Sequence, residues 1–229
     1  MKIILFFNKK GIAVFYMEKI SIVDNFEQIR GLLKFDSDDD FYFVELLQRK
    51  KDNPNFGSNN RLIKYYLIDS IDYFNKIENE IKTISDATGA RVYINLNRRS
   101  FKNISLQTMR LIAQHVADSN YKAIINVMTS CCGSYRSETD PTWILDIDYN
   151  DENFPYNNRE VNDAILFAER QCEPIGEKYK TVIPTLNGQH IIIKPFNLKK
   201  FSEKYPEITV HKNNPTLLYF NKNGKNNLR

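Results

Sequence analysis

Cysteine is nearly absent from this 229-residue chain: there are three, two of them adjacent at Cys131 and Cys132. An odd count without paired spacing cannot build a disulfide framework and points to a reducing, intracellular setting. Glycine and proline are also scarce, at eight each, which excludes collagen-like, linker-like and low-complexity repeat classes. No run approaches the roughly 18 apolar residues that a membrane span needs. The apolar stretch Ile3 to Phe7 is broken by Asn8-Lys9-Lys10 and lacks the length and cleavage site of a signal peptide. These absences predict a soluble, cytoplasmic protein with no membrane partner. Neither sign of charge dominates: 32 Lys and Arg face 28 Asp and Glu, a net +4. Such a balance permits a nucleic-acid partner without demanding one.

Aromatic residues are plentiful instead, with 15 Phe and 13 Tyr, and 42% of the chain is hydrophobic. A chain of this length and composition has a sizeable core, in one large domain or two interlocked subdomains. Phe41-Tyr42-Phe43-Val44 reads as a strand. After it come a basic knot, Arg49-Lys50-Lys51, and a turn-rich loop from Asp52 to Asn60. Leu62 to Ile68 reads as another strand. Phe74, Ile77, Ile81 and Ile84 recur at helical spacing, with Gly89 where a helix C-cap belongs.

The strand over 91–97 alternates, with Val92, Ile94 and Leu96 on one side and Arg91, Tyr93, Asn95 and Asn97 on the other. A helix over about 104–118 places Leu106, Met109, Ala113 and Val116 on one face. This β-α-β-α rhythm predicts an N-terminal α/β subdomain over residues 1–140. Its polar strip, Arg91, Tyr93 and Arg99 with Arg98 and Lys102 close by, suits a single-stranded template: cations meet phosphates and an aromatic ring stacks on a base. Cys131-Cys132-Gly133-Ser134 reads as a turn with buried thiols, and His115 as a structural residue of a helix. His211 carries no assignment.

A second unit begins near Trp143. A strand over 143–149 leads through an Asn- and Asp-rich loop to a helix over about 158–172, with Val161, Ile165, Ala168 and Cys172 on its buried face. Thr181 to Thr185, an Asn187-Gly188 turn and His190 to Lys194 then form a hairpin. This predicts a β-α-β-β subdomain over 141–220, with a further strand at Ile208–Val210 or Thr216–Phe220, and a frayed tail over 221–229.

Chemistry concentrates at Asp146-Ile147-Asp148. Residues two apart on a strand share a face, so both carboxylates project together while Leu145, Ile147 and Tyr149 pack behind. Two such carboxylates repel unless a cation joins them, and hard oxygen ligands suit Mg²⁺ or Mn²⁺. A strand-end cap or lysine pairing is the plainer reading of the same residues. Asp146, Asp148 and Asn150 have the first spacings of a calcium loop, but that reading is weak, because Asp151 stands where glycine is needed and Asn157 where a bidentate Glu is needed. His190 and Lys194 share a face of the later hairpin strand, where His190 can reach a phosphate.

The order Asp146-x-Asp148, helix, hairpin with Gly188-x-His190 resembles the catalytic half of the archaeo-eukaryotic primase superfamily, which includes the primase-polymerases. The resemblance covers roughly residues 140–220. It implies an α+β fold, in which an N-terminal α/β unit packs against an RRM-like β-α-β-β unit. It further implies that Asp146, Asp148 and His190 are catalytic. Asp146 and Asp148 would bind metal with Glu207 as the third acid. His190 would contact the incoming nucleotide's triphosphate, helped by Lys194, with Gly188 in the small-residue place of the motif.

The activity implied is primase-like or DNA-polymerase-like nucleotidyl transfer in replication, using nucleoside triphosphates on a single-stranded DNA or RNA template. With no helicase or zinc-binding appendage in 229 residues, any helicase would be a separate partner. A small stand-alone protein of this type suits a bacteriophage or another mobile element, working in a bacterial cytoplasm. Two rivals remain on the same residues: a non-catalytic nucleic-acid-binding or interaction protein, and a metal-dependent nuclease.

Overall fold

The computed structural model describes residues 3–7, 13–17, 21–52, 60–136, 141–148 and 158–224. In its first part lie β1 (Ile3–Phe7), β2 (Ala13–Met17), β3 (Ile22–Asp24), α1 (Phe26–Arg30), β4 (Asp40–Gln48), β5 (Arg61–Ile68), α2 (Ile71–Thr88) and β6 (Arg91–Ile94). Then come β7 (Arg99–Ser100), α3 (Phe101–Ala117), α4 (Val127–Ser134), β8 (Trp143–Asp148), α5 (Asn158–Gln171), β9 (Tyr179–Pro184), β10 (Gly188–Ile193), α6 (Leu198–Lys204), β11 (Thr209–His211) and β12 (Thr216–Asn221). Strands β1 and β2 form an antiparallel ribbon of their own. Most of the expected loop over 52–60, and Tyr149, lie outside the described residues.

The first large sheet runs β3-β12-β6-β4-β5, with β7 beside β4. Every pairing in it is antiparallel. This corrects the expected α/β unit. The β-α-β rhythm is present, but β4 lies between β5 and β6, so the crossover through α2 spans an antiparallel strand. The Ser70 hydroxyl caps α2 by accepting from the Tyr73 backbone N–H at 3.2 Å, and Gly89 ends it at φ 64°. Phe74, Ile77 and Ile81 of α2 are buried against Val44, Leu46, Ile68, Val92 and Ile94. Each such side chain contributes roughly 1.5–3 kcal/mol when taken out of water.

Helices α3 and α4 cover part of the other face, where Ile104, Val127, Cys131 and Cys132 pack on Phe41 and Phe43. Here α3 turns a different side inward from the one its spacing predicts. Ile104, Leu111 and Ile112 face the core, while Leu106, Met109 and Val116 are exposed. The cysteine pair sits in a helix rather than a turn. Its thiols are buried as expected, and burial pushes the Cys132 thiol up to about 11.

The second sheet runs β11-β8-β10-β9, again antiparallel throughout. In local order this is 4-1-3-2, the arrangement of a split β-α-β-β-α-β unit. One face packs Trp143, Leu145, Ile147, Ile191 and Ile193 against Val161, Ala164, Ala168 and Cys172 of the α5 segment and Phe201 of α6. The other face adds Ile144, Ile183 and Ile192 to the core of the first sheet. The sheets are also clamped by buried Asn25, whose amide donates to the carbonyls of Leu217 (2.8 Å) and Pro184 (3.0 Å). The protein is thus mixed α+β, built on two antiparallel sheets.

The boundary expected at residue 220 does not hold. The split unit ends with β11, and β12 crosses back to lie between β3 and β6. The tail is tied down at its start, since Asn221 pairs with Ile22 and the Lys222 N–H donates to the Ser21 carbonyl at 2.7 Å. Among the described residues, no helix is long and apolar enough to cross a membrane.

Candidate functional site

Alternation on β8 and β10 decides which side chains meet. With Leu145, Ile147, Ile191 and Ile193 committed to the helices, Asp146, Asp148 and His190 must point to the side facing the first sheet. The register makes His190 the direct cross-strand partner of Asp146, and Gly188 the partner of Asp148. His190 Nε2 faces Asp146 Oδ1 at 3.4 Å. Its Nδ1 is hydrogen-bonded at 2.8 Å to Oγ1 of Thr216, which is wholly buried on β12. Asp148 stands exposed at the end of β8.

A third strand completes the cluster. His211 on β11 directs Nε2 to Asp146 Oδ2 at 3.4 Å, and its Nδ1 lies 3.0 Å from the Asn214 amide nitrogen. The imidazoles of His190 and then His211 hold the Asp146 carboxyl well below the usual carboxylate range, outweighing the upward push of burial. Asp146 is therefore ionised at any ordinary pH. Sequence reasoning missed both His211 and Thr216. A histidine in a three-residue strand has no local signal, and only the β8–β11 register brings it to Asp146.

Gly188 has a steric reason to be glycine. A Cβ there would overlap the Ile147 carbonyl oxygen on the neighbouring strand, so the backbones approach too closely for any side chain. Lys194 does continue the row of His190 and Ile192, but it is exposed beyond the end of β10. Four residues along a strand are about 13 Å, so Lys194 does not join the cluster. Glu207 is exposed in the turn before β11, and the side chain that β11 brings to Asp146 is His211 instead.

Two carboxylates from one strand, with an imidazole nitrogen beside one of them, fit a divalent cation in charge and donor type. Among the described residues, no group of three or more His, Cys, Asp or Glu side chains is placed so that it could hold a metal ion.

The expected template strip is not an open face. Arg91 is buried, forks onto the Asp52 carboxylate with two bonds of 2.7 Å, and lies 5.1 Å from the Phe220 ring. Arg99 is fully buried and donates to the carbonyls of Cys132 (2.6 Å) and Asn97 and to Asn213 Oδ1 (3.3 Å). Arg98 is paired with Asp36 and Asp40, at 2.5 and 3.1 Å. The Tyr93 hydroxyl accepts from Arg49 at 3.2 Å. Lys102 alone of the five is exposed.

Arg99 and its neighbours Asn95 and Asn97 grip the link from β11 to β12. The Asn95 amide donates to the Asn213 carbonyl at 3.1 Å, and the Asn97 amide donates to the carbonyls of Thr142 (3.0 Å) and Lys212 (3.3 Å). That link carries His211 at one end and Thr216 at the other. Asn95, Asn97 and Arg99 thus hold the link that carries His211 and Thr216. Comparison of the chain with protein-family models, curated proteins and solved structures found no match.

Proposed function

We propose that this chain is a metal-dependent nucleotidyltransferase of the primase or polymerase kind, joining nucleoside triphosphates on a single-stranded DNA or RNA template. The observation that carries the reading is the direct pairing of His190 with Asp146 on the face between the sheets, with Asp148 two residues further on. The split β-α-β-β-α-β order supports the RRM-like expectation for this unit. In this reading Asp146 and Asp148 hold Mg²⁺ or Mn²⁺, which when bound helps activate the 3′ hydroxyl and neutralises charge on the departing pyrophosphate. Asp146 contributes a carboxylate that needs no proton removed. Thr216 fixes the His190 ring through Nδ1 and leaves Nε2 turned to the carboxylate, beside the place where a triphosphate would meet the cation. Glu207 and Lys194 have no part in it.

The test is nucleotide binding in Mg²⁺ or Mn²⁺, followed by primer synthesis on single-stranded DNA. His190→Ala should weaken nucleotide binding roughly ten- to a hundredfold, since a hydrogen bond to a charged group contributes about 1.5–3 kcal/mol. A folded His190→Ala protein that binds nucleotide as the parent does would refute the proposal. One observation favours a non-catalytic nucleic-acid-binding protein: both Asp146 oxygens already face imidazole nitrogens within the fold. That reading expects single-strand binding with neither nucleotide affinity nor product.

A further inference from the structure

We infer that the outer face of the first sheet binds a single-stranded nucleic acid and reads a guanine in it, with Tyr65 stacking on the base and Glu45 recognising its edge. By register, Glu45 on β4 has Tyr65 of β5 on one side and Tyr93 of β6 on the other. Alternation puts all three on the face away from Val44, Leu46, Val92 and the second sheet. The site is therefore separate from the Asp146 cluster. On this face α3 and α4 pack on Phe41 and Phe43. One step further along, Glu45, Leu47 and Tyr93 are partly exposed, and Tyr65 and Leu62 are open to solvent at 38% and 37%.

A carboxylate is a costly side chain for the middle of a central strand. Burial raises the Glu45 carboxyl, and among the described residues no neighbouring charge or hydrogen bond offsets that. An acceptor without donors, walled by aromatic rings, fits a flat ligand that brings the donors. The tyrosines are already set: Phe43 backs the Tyr65 ring at 6.0 Å, and Arg49 holds the Tyr93 hydroxyl at 3.2 Å. Two strand spacings, about 9–10 Å, separate the tyrosines, so a base stacked on Tyr65 can turn its Watson–Crick edge to Glu45. Guanine puts two adjacent donors on that edge, N1–H and N2–H, which two carboxylate oxygens accept together. Adenine and cytosine put a ring-nitrogen lone pair beside the amino group, and thymine flanks its single N–H with carbonyls, all of which a carboxylate repels. Charge then selects a strand as the bearer of the base. Where β4 leaves the sheet and β5 enters it stand Arg49, Lys50, Lys51 and Arg61, and the acid beside them, Asp52, is bound by Arg91 at 2.7 Å. Cations in that number match a run of phosphates.

Fluorescence anisotropy of the full chain, in EDTA and without nucleoside triphosphate, tests this apart from the His190 proposal. The probes are an octathymidylate and copies with one central guanine, inosine, adenine or cytosine. The guanine strand should bind roughly 10- to 100-fold tighter than the all-thymine strand, the range of one good bidentate base contact. Inosine, which lacks the N2 amino group, should fall between them. Glu45→Gln keeps the size of the side chain and should bring the guanine strand down to the all-thymine level. Tyr65→Ala should weaken every strand about 5- to 100-fold, as loss of one stacking ring does. Lys50→Ala with Lys51→Ala should lower the log–log salt slope by about 1.4 and leave the guanine preference intact. Equal binding of all five strands by the parent, or no binding of any, would overturn the inference. A folded Glu45→Gln protein that keeps the guanine preference would do the same. Guanosine monophosphate binding as tightly as the guanine strand would overturn the choice of a strand as the ligand.

Discussion

Removing the Arg99 guanidinium tests whether that side chain serves the fold or a template. Its three described bonds, to Cys132, Asn97 and Asn213, come from a charged donor, for which about 1.5–3 kcal/mol each is typical. Their sum overstates the loss, because Arg99→Ala also removes a cation that was costly to bury. It leaves the acceptors short of a donor and a void where a fully enclosed side chain lay. The net expected loss is about 3–5 kcal/mol. For a chain of this size that is roughly 6–20 °C in melting temperature, at about 2–4 °C per kcal/mol.

Arg99→Lys should lose much of the same, since an ammonium cannot reproduce the planar fork. Arg98→Ala removes partly exposed pairs with Asp36 and Asp40 and should change stability by less than about 1 kcal/mol. Denaturant melts and single-strand binding are measured on each variant. If Arg99→Ala melts within about 1 kcal/mol of the parent and loses salt-dependent affinity for single-stranded DNA, the buried-frame account of this arginine is wrong.

Gly188→Ala should destabilise by at least about 3 kcal/mol, at or beyond the usual cost of overpacking, because the clash is with backbone rather than a movable side chain. An unchanged melting temperature would disprove the close approach of β8 and β10. Glu45 sits between Tyr65 and Tyr93 on the central strand, and burial raises its carboxyl above the usual range. A raised folded value favours the neutral acid, so its penalty is small below the unfolded value and grows as pH rises through the folded one. Glu45→Gln should therefore raise stability at pH 7 by about 1 kcal/mol and give little at pH 4; an equal gain at both would refute the assignment.

Legibility in the sequence followed the range of the forces involved. α2 and α5 were readable from their apolar spacing, and the hairpin from Asn187-Gly188, because each signal is local. Asp146 and Asp148 were readable as a pair for the same reason: strand geometry alone puts them on one face. The buried side of α3 was not, since Ile104, Leu111 and Ile112 compete with Leu106, Met109 and Val116, and only the packing of Phe41 and Phe43 chooses between them. Arg91 and Arg99 looked like solvent-facing cations because alternation says which side a residue takes, not what lies on that side. His211 and Thr216 were invisible for a stronger reason. Their meaning comes from strand pairs distant in sequence, which no short window contains.

The place of β12 also governs when this protein can fold as it is made. β6 is finished at Ile94, but its partner on one side does not begin until Thr216. At ribosomal speeds of about 5–20 residues per second, that edge waits on the order of ten seconds with its backbone groups unpaired. An open, apolar edge carrying Val92 and Ile94 is a template for pairing with other nascent chains. The Asp146–His190 cluster shares the delay, since Thr216 reaches His190 only when β12 slots between β3 and β6. Assembly of the site is thus coupled to closure of the first sheet, and a chain stalled before β12 holds Asp146 without a fixed His190.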